Sequence, residues 1–504
     1  MKKNILEYFK DTTLKFPNKV AIDDNDSVMS FSELDTISIL IGSHLTTKVK
    51  TLRKPIAVFL PKNRWCVAAF IGIVKSGNFY VPLDITSPYE RVFKILKTLD
   101  ASCIITNSEL KEKLIEIGYE GIIICVEDAI KITASTDVIS KLDLISNTII
   151  DLDPIYSIFT SGSTGMPKGV LISQRGVIDF IKWAIETYKL SDKEIIGNQV
   201  PFYFDMSVLD IYMMIFTGAT LHIIPQDRFS FPLHLIEYLN TKEINFIFWV
   251  PSVLSNVSNF GVFSVTKPTY LSKILFAGEP MPNKHLNYWR NNYDDALYSN
   301  LYGPTEVTVI ATYYIVNRPF KDNESLPVGK ACDNTQTLIL SDNGEIVENG
   351  QIGELTIRGS LLALGYYNNK LKTAESFIQN PLHNNYPDII YKTGDLVYEN
   401  HLEEIIFVGR KDSQIKHLGY RIELGEIETA ILGISDVDNA CVLYDNDHKK
   451  IVAFIISTNK TAEIRKELAF ILPKYMIPTK WIHVPKLPLN ANGKIDRLEL
   501  TNLF

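Results

Sequence analysis

The chain is poor in cysteine and has neither a long apolar run nor a block of like charge. Its five cysteines, Cys66, Cys103, Cys125, Cys332 and Cys441, are odd in number, scattered, and never paired as C-x-x-C. That excludes a disulfide framework and the common zinc and thiol-redox motifs, and it points to a reducing, cytoplasmic setting. The longest apolar stretch, residues 65–74, is about half of the ~20 residues a membrane-spanning helix needs, so it is expected to be a core helix. Lys2 and Lys3 are followed by Glu7 and Lys10 before any apolar segment of signal-peptide length, which predicts no targeting segment. Lys and Arg number 51 against 58 Asp and Glu, a net charge of 51 − 58 = −7. Without a run of five or six like charges, such a surface is not built to hold nucleic acid or a membrane. No internal repeat or low-complexity tract is present, so a solenoid is excluded. Walker A spacing and the kinase catalytic-loop and D-F-G signatures are missing too, which removes P-loop NTPases and kinases.

The 504 residues, 46% hydrophobic and 22% charged, suit an ordinary globule of roughly three units of ~150 residues. Short β-branched runs at 55–60, 103–106 and 121–125 alternate with helical patterns at 63–76 and 107–117. The same rhythm returns as 219–224, a helix near 231–240, and 244–250. Two layered α/β subdomains with parallel strands are therefore expected. From 326 to 410 the pattern becomes strands and turns, with Asp342-Asn343-Gly344 and Asn349-Gly350 as hairpin signals, and predicts an all-β, barrel-like subdomain. Beyond Asp412 an α+β unit is expected, with helices at 423–432 and 461–471 and strands at 439–444 and 451–457. The predicted division is residues 1–411 and 412–504.

The stretch Thr160-Ser161-Gly162-Ser163-Thr164-Gly165-Met166-Pro167-Lys168-Gly169 follows the strand-like 155–159 and has the make-up of a phosphate loop. Glycines let backbone N–H groups approach an anion, the hydroxyls donate hydrogen bonds, and Lys168 supplies charge. Taken alone it could also be a polar surface turn. Further signatures follow in order: Phe204-Asp205-Met206-Ser207, Asn300-Leu301-Tyr302-Gly303-Pro304-Thr305-Glu306, Tyr391-Lys392-Thr393-Gly394-Asp395, Gly409-Arg410-Lys411-Asp412-Ser413-Gln414-Ile415-Lys416, and 488–496 with Lys494. Together these resemble the adenylate-forming superfamily of acyl-CoA synthetases, luciferases and amino-acid adenylation domains, over essentially the whole chain.

The resemblance implies a carboxylate attacking the α-phosphorus of ATP, with Mg²⁺ and cations neutralising the transition state. It implies that Glu306 holds the Mg²⁺, Thr305 lies against the α-phosphate, Tyr302 stacks on adenine with Gly303 beside it, and Asn300 meets the adenine edge. Asp395 takes the ribose hydroxyls with Arg410 in support. Lys494 acts between the substrate carboxylate and the α-phosphate, and Thr160 and Lys168 act on the phosphates. Asp412 is the expected hinge of a mobile C-terminal lid, whose rotation withdraws Lys494 and brings the Gly419-Tyr420-Arg421 loop toward an entering thiol. For each residue alone, a solvated acid, a core tyrosine or a turn lysine is the plainer interpretation; the ordered set carries the specificity.

Asp205 narrows the substrate, because an α-ammonium group needs a partner charge to offset its desolvation and a fatty or aryl acid does not. By the resemblance, Asp205, Met206, Leu209, Trp249, Leu275, Ala277, Leu301, Val309 and Ile310 line the amino-acid pocket, which is otherwise apolar and made small by Trp249, Met206 and Leu301. The lining is closer to stand-alone L-proline:carrier-protein ligases, although Trp249 and Ile310 depart from their pattern. D-Alanine:carrier-protein ligases are the alternative, although they usually carry cysteine where this chain has Ala277; another small apolar amino acid comes third. No Gly-Gly-x-Ser acceptor stretch is present, which predicts a separate carrier protein whose pantetheine thiol, ahead of coenzyme A, takes the aminoacyl group. Lys474, Lys480 and Arg421 are candidate docking residues, and a monomer is expected. A non-catalytic ATP- or amino-acid-binding homologue is the rival class.

Overall fold

A computed structural model describes residues 2–131, 135–162, 166–488 and 495–503. Lys494 and the loop residues Ser163, Thr164 and Gly165 lie outside the described residues. Among those described, two large sheets carry the N-terminal part. One has seven strands in the order Gly365–Tyr366, Lys168–Ser173, Pro154–Thr160, Phe79–Pro82, Pro55–Phe59, Cys103–Thr106, Ile122–Cys125. The other has nine, with Leu297–Tyr302, Lys273–Phe276, Phe246–Trp249 and Ile195–Asn198 at its centre. The inner pairs of both run parallel. Pro55–Phe59, Phe79–Pro82, Cys103–Thr106 and Phe246–Trp249 are buried at every position, because helices cover both faces of a parallel sheet and leave no polar side to the strand.

The apolar stretch at 65–74 forms the helix Arg64–Lys75, buried throughout Cys66–Val74. Asn63 starts it, its side chain accepting the Trp65 N–H at 3.1 Å. It packs on the helix Phe31–Lys48 through two glycines: a Cβ on Gly72 would stand 2.9 Å from both the Ile41 side chain and the Ser38 carbonyl, and one on Gly42 would stand 2.9 Å from the Gly72 carbonyl. No described helix is long and apolar enough to cross a membrane.

The 326–410 region is mainly β, but not wholly so. Thr335–Leu340, Gly353–Gly359, Ile389–Glu399, Phe377–Gln379 and Ile405–Arg410 form a five-stranded sheet. Among the described residues its strand path is not closed end to end, so it is an open sheet rather than a closed barrel. The expected all-β segment also holds the helix Lys370–Ser376, capped by Asn369, and the strand Gly365–Tyr366 leaves it to pair with Lys168–Ser173. After Arg410 come the hairpin Gln414–His417/Tyr420–Glu423, the helices Leu424–Leu432 and Thr461–Ile471, and a three-stranded sheet. These close their own core around Ile427, Ile431, Val442, Ala453, Ile464 and Leu468.

Candidate functional site

A cavity of about 110 Å³ opens where the strands Pro154–Thr160, Lys273–Phe276 and Leu297–Tyr302 end, and the hairpin after Asp412 covers it. Carboxyl ends of strands are where open α/β sheets expose loops to a ligand. The cavity brings together Thr160, Ser161, Asp205, Gly303, Thr305, Asp395 and Arg410 on its polar side, and Met206, Ala277, Val309 and Ile310 on its apolar side. Val309 reaches the wall from a backbone φ of 75°, after Thr308 at 38°, a region β-branched residues avoid. The Thr308 hydroxyl donates to the Leu361 carbonyl at 2.7 Å and the Ala311 N–H to that of Tyr302 at 2.8 Å, which hold the turn in place. Backbone strain of this kind persists where the surroundings over-determine it.

Three carboxylates define the electrostatics. Glu306 is fully buried. Its Oε1 accepts the Tyr366 hydroxyl at 2.7 Å and lies 3.6 Å from Lys168 Nζ, while Oε2 pairs with Arg421 Nη1 at 2.6 Å. Burial alone would raise this carboxyl, but Arg421, Lys168 and Tyr366 together hold it far below the usual range. Burial pushes Asp205 up, opposed by the Thr305 hydroxyl and by Lys416. Asp395 accepts the Tyr302 hydroxyl and pairs with Arg410 Nη1 at 2.5 Å. The same guanidinium grips Asp412 with two further bonds of 2.6 and 2.8 Å.

In the expected phosphate loop, Thr160 Oγ1 is buried with no hydrogen-bond partner among the described residues. Ser161 Oγ donates to the Arg421 carbonyl at 2.5 Å. Gly162 is held to glycine by space, since a Cβ there would stand 2.2 Å from the Met166 carbonyl. Burial, then Arg421, lowers Lys168.

Not every expected site residue reaches the cavity. Trp249 alternates onto the opposite face of its strand, packs edge-on to Phe229 and donates its Nε1–H to the Gly197 carbonyl at 2.8 Å. It therefore does not narrow the pocket. Leu209, Leu275 and Leu301 share the core cluster of Met206 and Ala277 but stand behind the wall. Tyr302 turns its hydroxyl to Asp395, and the Asn300 amide donates to the Pro327 carbonyl at 2.8 Å. Arg421 is no surface docking residue, because it is spent on Glu306.

Sequence reasoning missed how much the C-terminal part contributes. Lys416 lines the cavity from the hairpin with Tyr420, and Tyr475 stacks on Tyr420 at 3.6 Å between ring centroids. The hairpin tip passes through Leu418 and Gly419 at φ 53° and 80°, a left-handed pair that favours glycine. Glu279 accepts the Gly419 N–H at 2.7 Å and the Ser252 N–H at 3.1 Å, joining the two parts of the chain. Arg91 and Glu426 form a buried ion pair between the same two parts. The motif through Lys416 marked that strand; nothing local to Arg91, 335 residues from Glu426, pointed to the pair.

A family model described as AMP-binding enzyme matches residues 9–367, and one described as AMP-binding enzyme C-terminal domain matches 426–494. A D-alanine–D-alanyl carrier protein ligase of Listeria monocytogenes serotype 4b is 33% identical, covering 100% of this chain and 99% of its own length. That of Lactiplantibacillus plantarum is 32% identical, covering 98% of both. Among solved structures, the Vibrio cholerae adenylation domain AlmE in complex with glycyl-adenosine-5′-phosphate superposes with a TM-score of 0.85 at 20% identity, covering 100% of this chain and 98% of that one.

Proposed function

Because the chain belongs to the AMP-binding enzyme family, we propose that it activates a small amino acid with ATP and passes the aminoacyl group to the pantetheine thiol of a separate carrier protein, D-alanine being the substrate. The observation that carries this is one cavity in which the Asp205 carboxylate faces an apolar wall of Met206, Ala277, Val309 and Ile310, beside the Thr160–Ser161 end of the phosphate loop. A carboxylate among apolar groups suits an ammonium on a short side chain. The full-length relatives named for D-alanine favour it over the L-proline expected from the pocket residues, even though Ala277 stands where such ligases usually have cysteine.

In this reading Asp205 binds the α-ammonium, Thr160, Ser161 and Lys168 receive the phosphates, and Asp395, kept in place by Arg410 and Tyr302, receives the ribose hydroxyls. Thr305 stands between the amino-acid and phosphate sides. Lys494, outside the described residues, is assigned to the charge between the carboxylate and the α-phosphate. Mg²⁺ is bound in such sites by one or two carboxylates plus substrate phosphates, and the buried carboxylate of Glu306 fits that pattern; the metal would supply Lewis-acid neutralisation of phosphate charge.

Amino-acid-dependent ATP–pyrophosphate exchange tests the proposal, with D-alanine, L-alanine, glycine, L-proline and L-valine compared. D-Alanine should give the fastest exchange. A preference for L-proline would overturn the substrate, and exchange with none of them, despite ATP binding, would favour a non-catalytic binding protein.

A further inference from the structure

Part of the apolar wall of the cavity is built on strained backbone. Residues 303–311 join the antiparallel strands Leu297–Tyr302 and Thr312–Ile315. Within them two consecutive β-branched residues, Thr308 and Val309, are buried at φ 38° and 75°. The Ile310 N–H donates to the Thr308 carbonyl at 3.0 Å and closes a three-residue turn about Val309; with a positive φ at its centre such a turn is rare and strained. Glycine is the residue these torsions favour, yet the turn carries two large side chains, Val309 and Ile310, into the cavity wall. It is held from outside. The Thr308 hydroxyl donates to the Leu361 carbonyl at 2.7 Å, just beyond the strand Gly353–Gly359. A Cβ on Gly303 would stand 2.5 Å from the Val309 carbonyl, and one on Gly176, near the start of the helix Gln174–Tyr188, would stand 2.6 Å from Thr308 Oγ1.

We infer that Thr308 is the positioning residue that sets how large an amino-acid side chain the pocket accepts: its hydroxyl, tied to the Leu361 carbonyl, fixes the Val309 turn and with it the depth of the apolar wall. The inference rests on the function proposed above and names what decides size at that same site. Thr308 is not among the residues lining the cavity, so it acts through Val309 and Ile310 rather than by touching substrate. Strained backbone persists only where its surroundings over-determine it, and the Thr308 hydroxyl ties this turn to a residue 53 positions further along the chain. Without that bond Val309 is free to relax toward negative φ, and its side chain and that of Ile310 leave their places in the wall. A pocket rejects one extra methylene by ~10–200-fold, and does so only while its wall stays fixed.

Pyrophosphate exchange on the full chain gives kcat and KM for D-alanine and for D-2-aminobutyrate, one methylene longer. These are compared in the wild type, in Thr308→Val, which keeps the shape and loses the hydroxyl, and in Thr308→Ser, which keeps the hydroxyl. The wild type should favour D-alanine in kcat/KM by at least about tenfold. In Thr308→Val that preference should shrink by about tenfold, with the KM for D-alanine raised and kcat and the KM for ATP close to wild type, and Thr308→Ser should restore it. An unchanged preference in Thr308→Val overturns the inference, as does Thr308→Ser behaving like Thr308→Val, or a wild type that does not tell the two amino acids apart. A general structural defect would lower kcat and raise the KM for ATP as well, and that result overturns it too. Gly176→Ala crowds the same hydroxyl from the other side and serves if Thr308→Val does not fold; a narrowed preference is expected, and a wild-type preference overturns the inference. If the wild type prefers L-proline, the pair becomes L-proline and L-pipecolate, so the substrate can fail while the inference stands. Exchange with no amino acid removes the amino-acid pocket and the inference with it.

Discussion

Asp210 and Lys62 show at the residue scale that charge is buried beneath the site as well as within it. Asp210 lies on the helix Ser207–Thr217 that follows Asp205, and its carboxylate accepts the Asn198 amide at 2.8 Å. Burial raises its pKa from the ordinary 3.8 to about 7, against the pull of Asn198 and Lys62. Burial likewise lowers Lys62, which donates to the Gln199 carbonyl at 2.9 Å, to about 7. For Asp210 the sign follows from linkage: the folded state keeps the proton that the unfolded state gives up, so its contribution is complete below about pH 4 and is lost as pH rises to about 7. Asp210→Asn should flatten the fall in stability across that window, seen as a urea midpoint that varies less with pH than in the wild type. Parallel curves for the two proteins would refute it.

At the scale of elements, the N-terminal part depends on close helix packing as much as on its sheets. Gly72 lets the helices Phe31–Lys48 and Arg64–Lys75 meet, and an added Cβ has no room against Ser38 and Ile41. Gly72→Ala is expected to destabilise by about 1–3 kcal/mol, the usual cost of overpacking a core. The measurement is a lower denaturation midpoint, with the KM for the amino acid unchanged in the folded enzyme; an unaltered midpoint would show that the helices can part without penalty. The sheet containing Trp249 has the same two-sided character. Ile247, Trp249, Ile274 and Phe276 point to one core cluster, and Phe246, Phe248 and Leu275 to the other. Only the second cluster continues into the cavity wall.

Across the whole molecule, the segment Arg410–Asp412 links the two parts of the chain, and the guanidinium of Arg410 holds both Asp395 and the expected hinge Asp412. The hairpin beginning at Gln414 is already seated on the cavity. If passage between the two half-reactions needs rotation at Asp412, Asp412→Pro should leave pyrophosphate exchange largely intact while slowing aminoacyl transfer to a pantetheine thiol, since proline fixes one backbone torsion of the joint. Equal losses in both assays would remove the hinge.

The sequence by itself determined what is local and ordered along the chain: the parallel α/β layers, the smaller α+β part beyond Asp412, and Thr160, Asp205 and Asp395, which the structure gathers at one cavity. Contiguous motifs and strand–helix rhythm report such features because the residues concerned are neighbours in sequence or repeat at a fixed spacing. It also named Lys494, which lies outside the described residues. The tertiary structure decided which face Trp249 presents, because a strand buried on both sides carries no alternation of polarity to reveal its direction. It decided too that Arg421 belongs to Glu306 rather than to the surface, and that Arg91 meets Glu426. Those pairs join parts of the chain more than a hundred residues apart, and the energy that forms them, partnering buried charge, exists only once folding has excluded water from both.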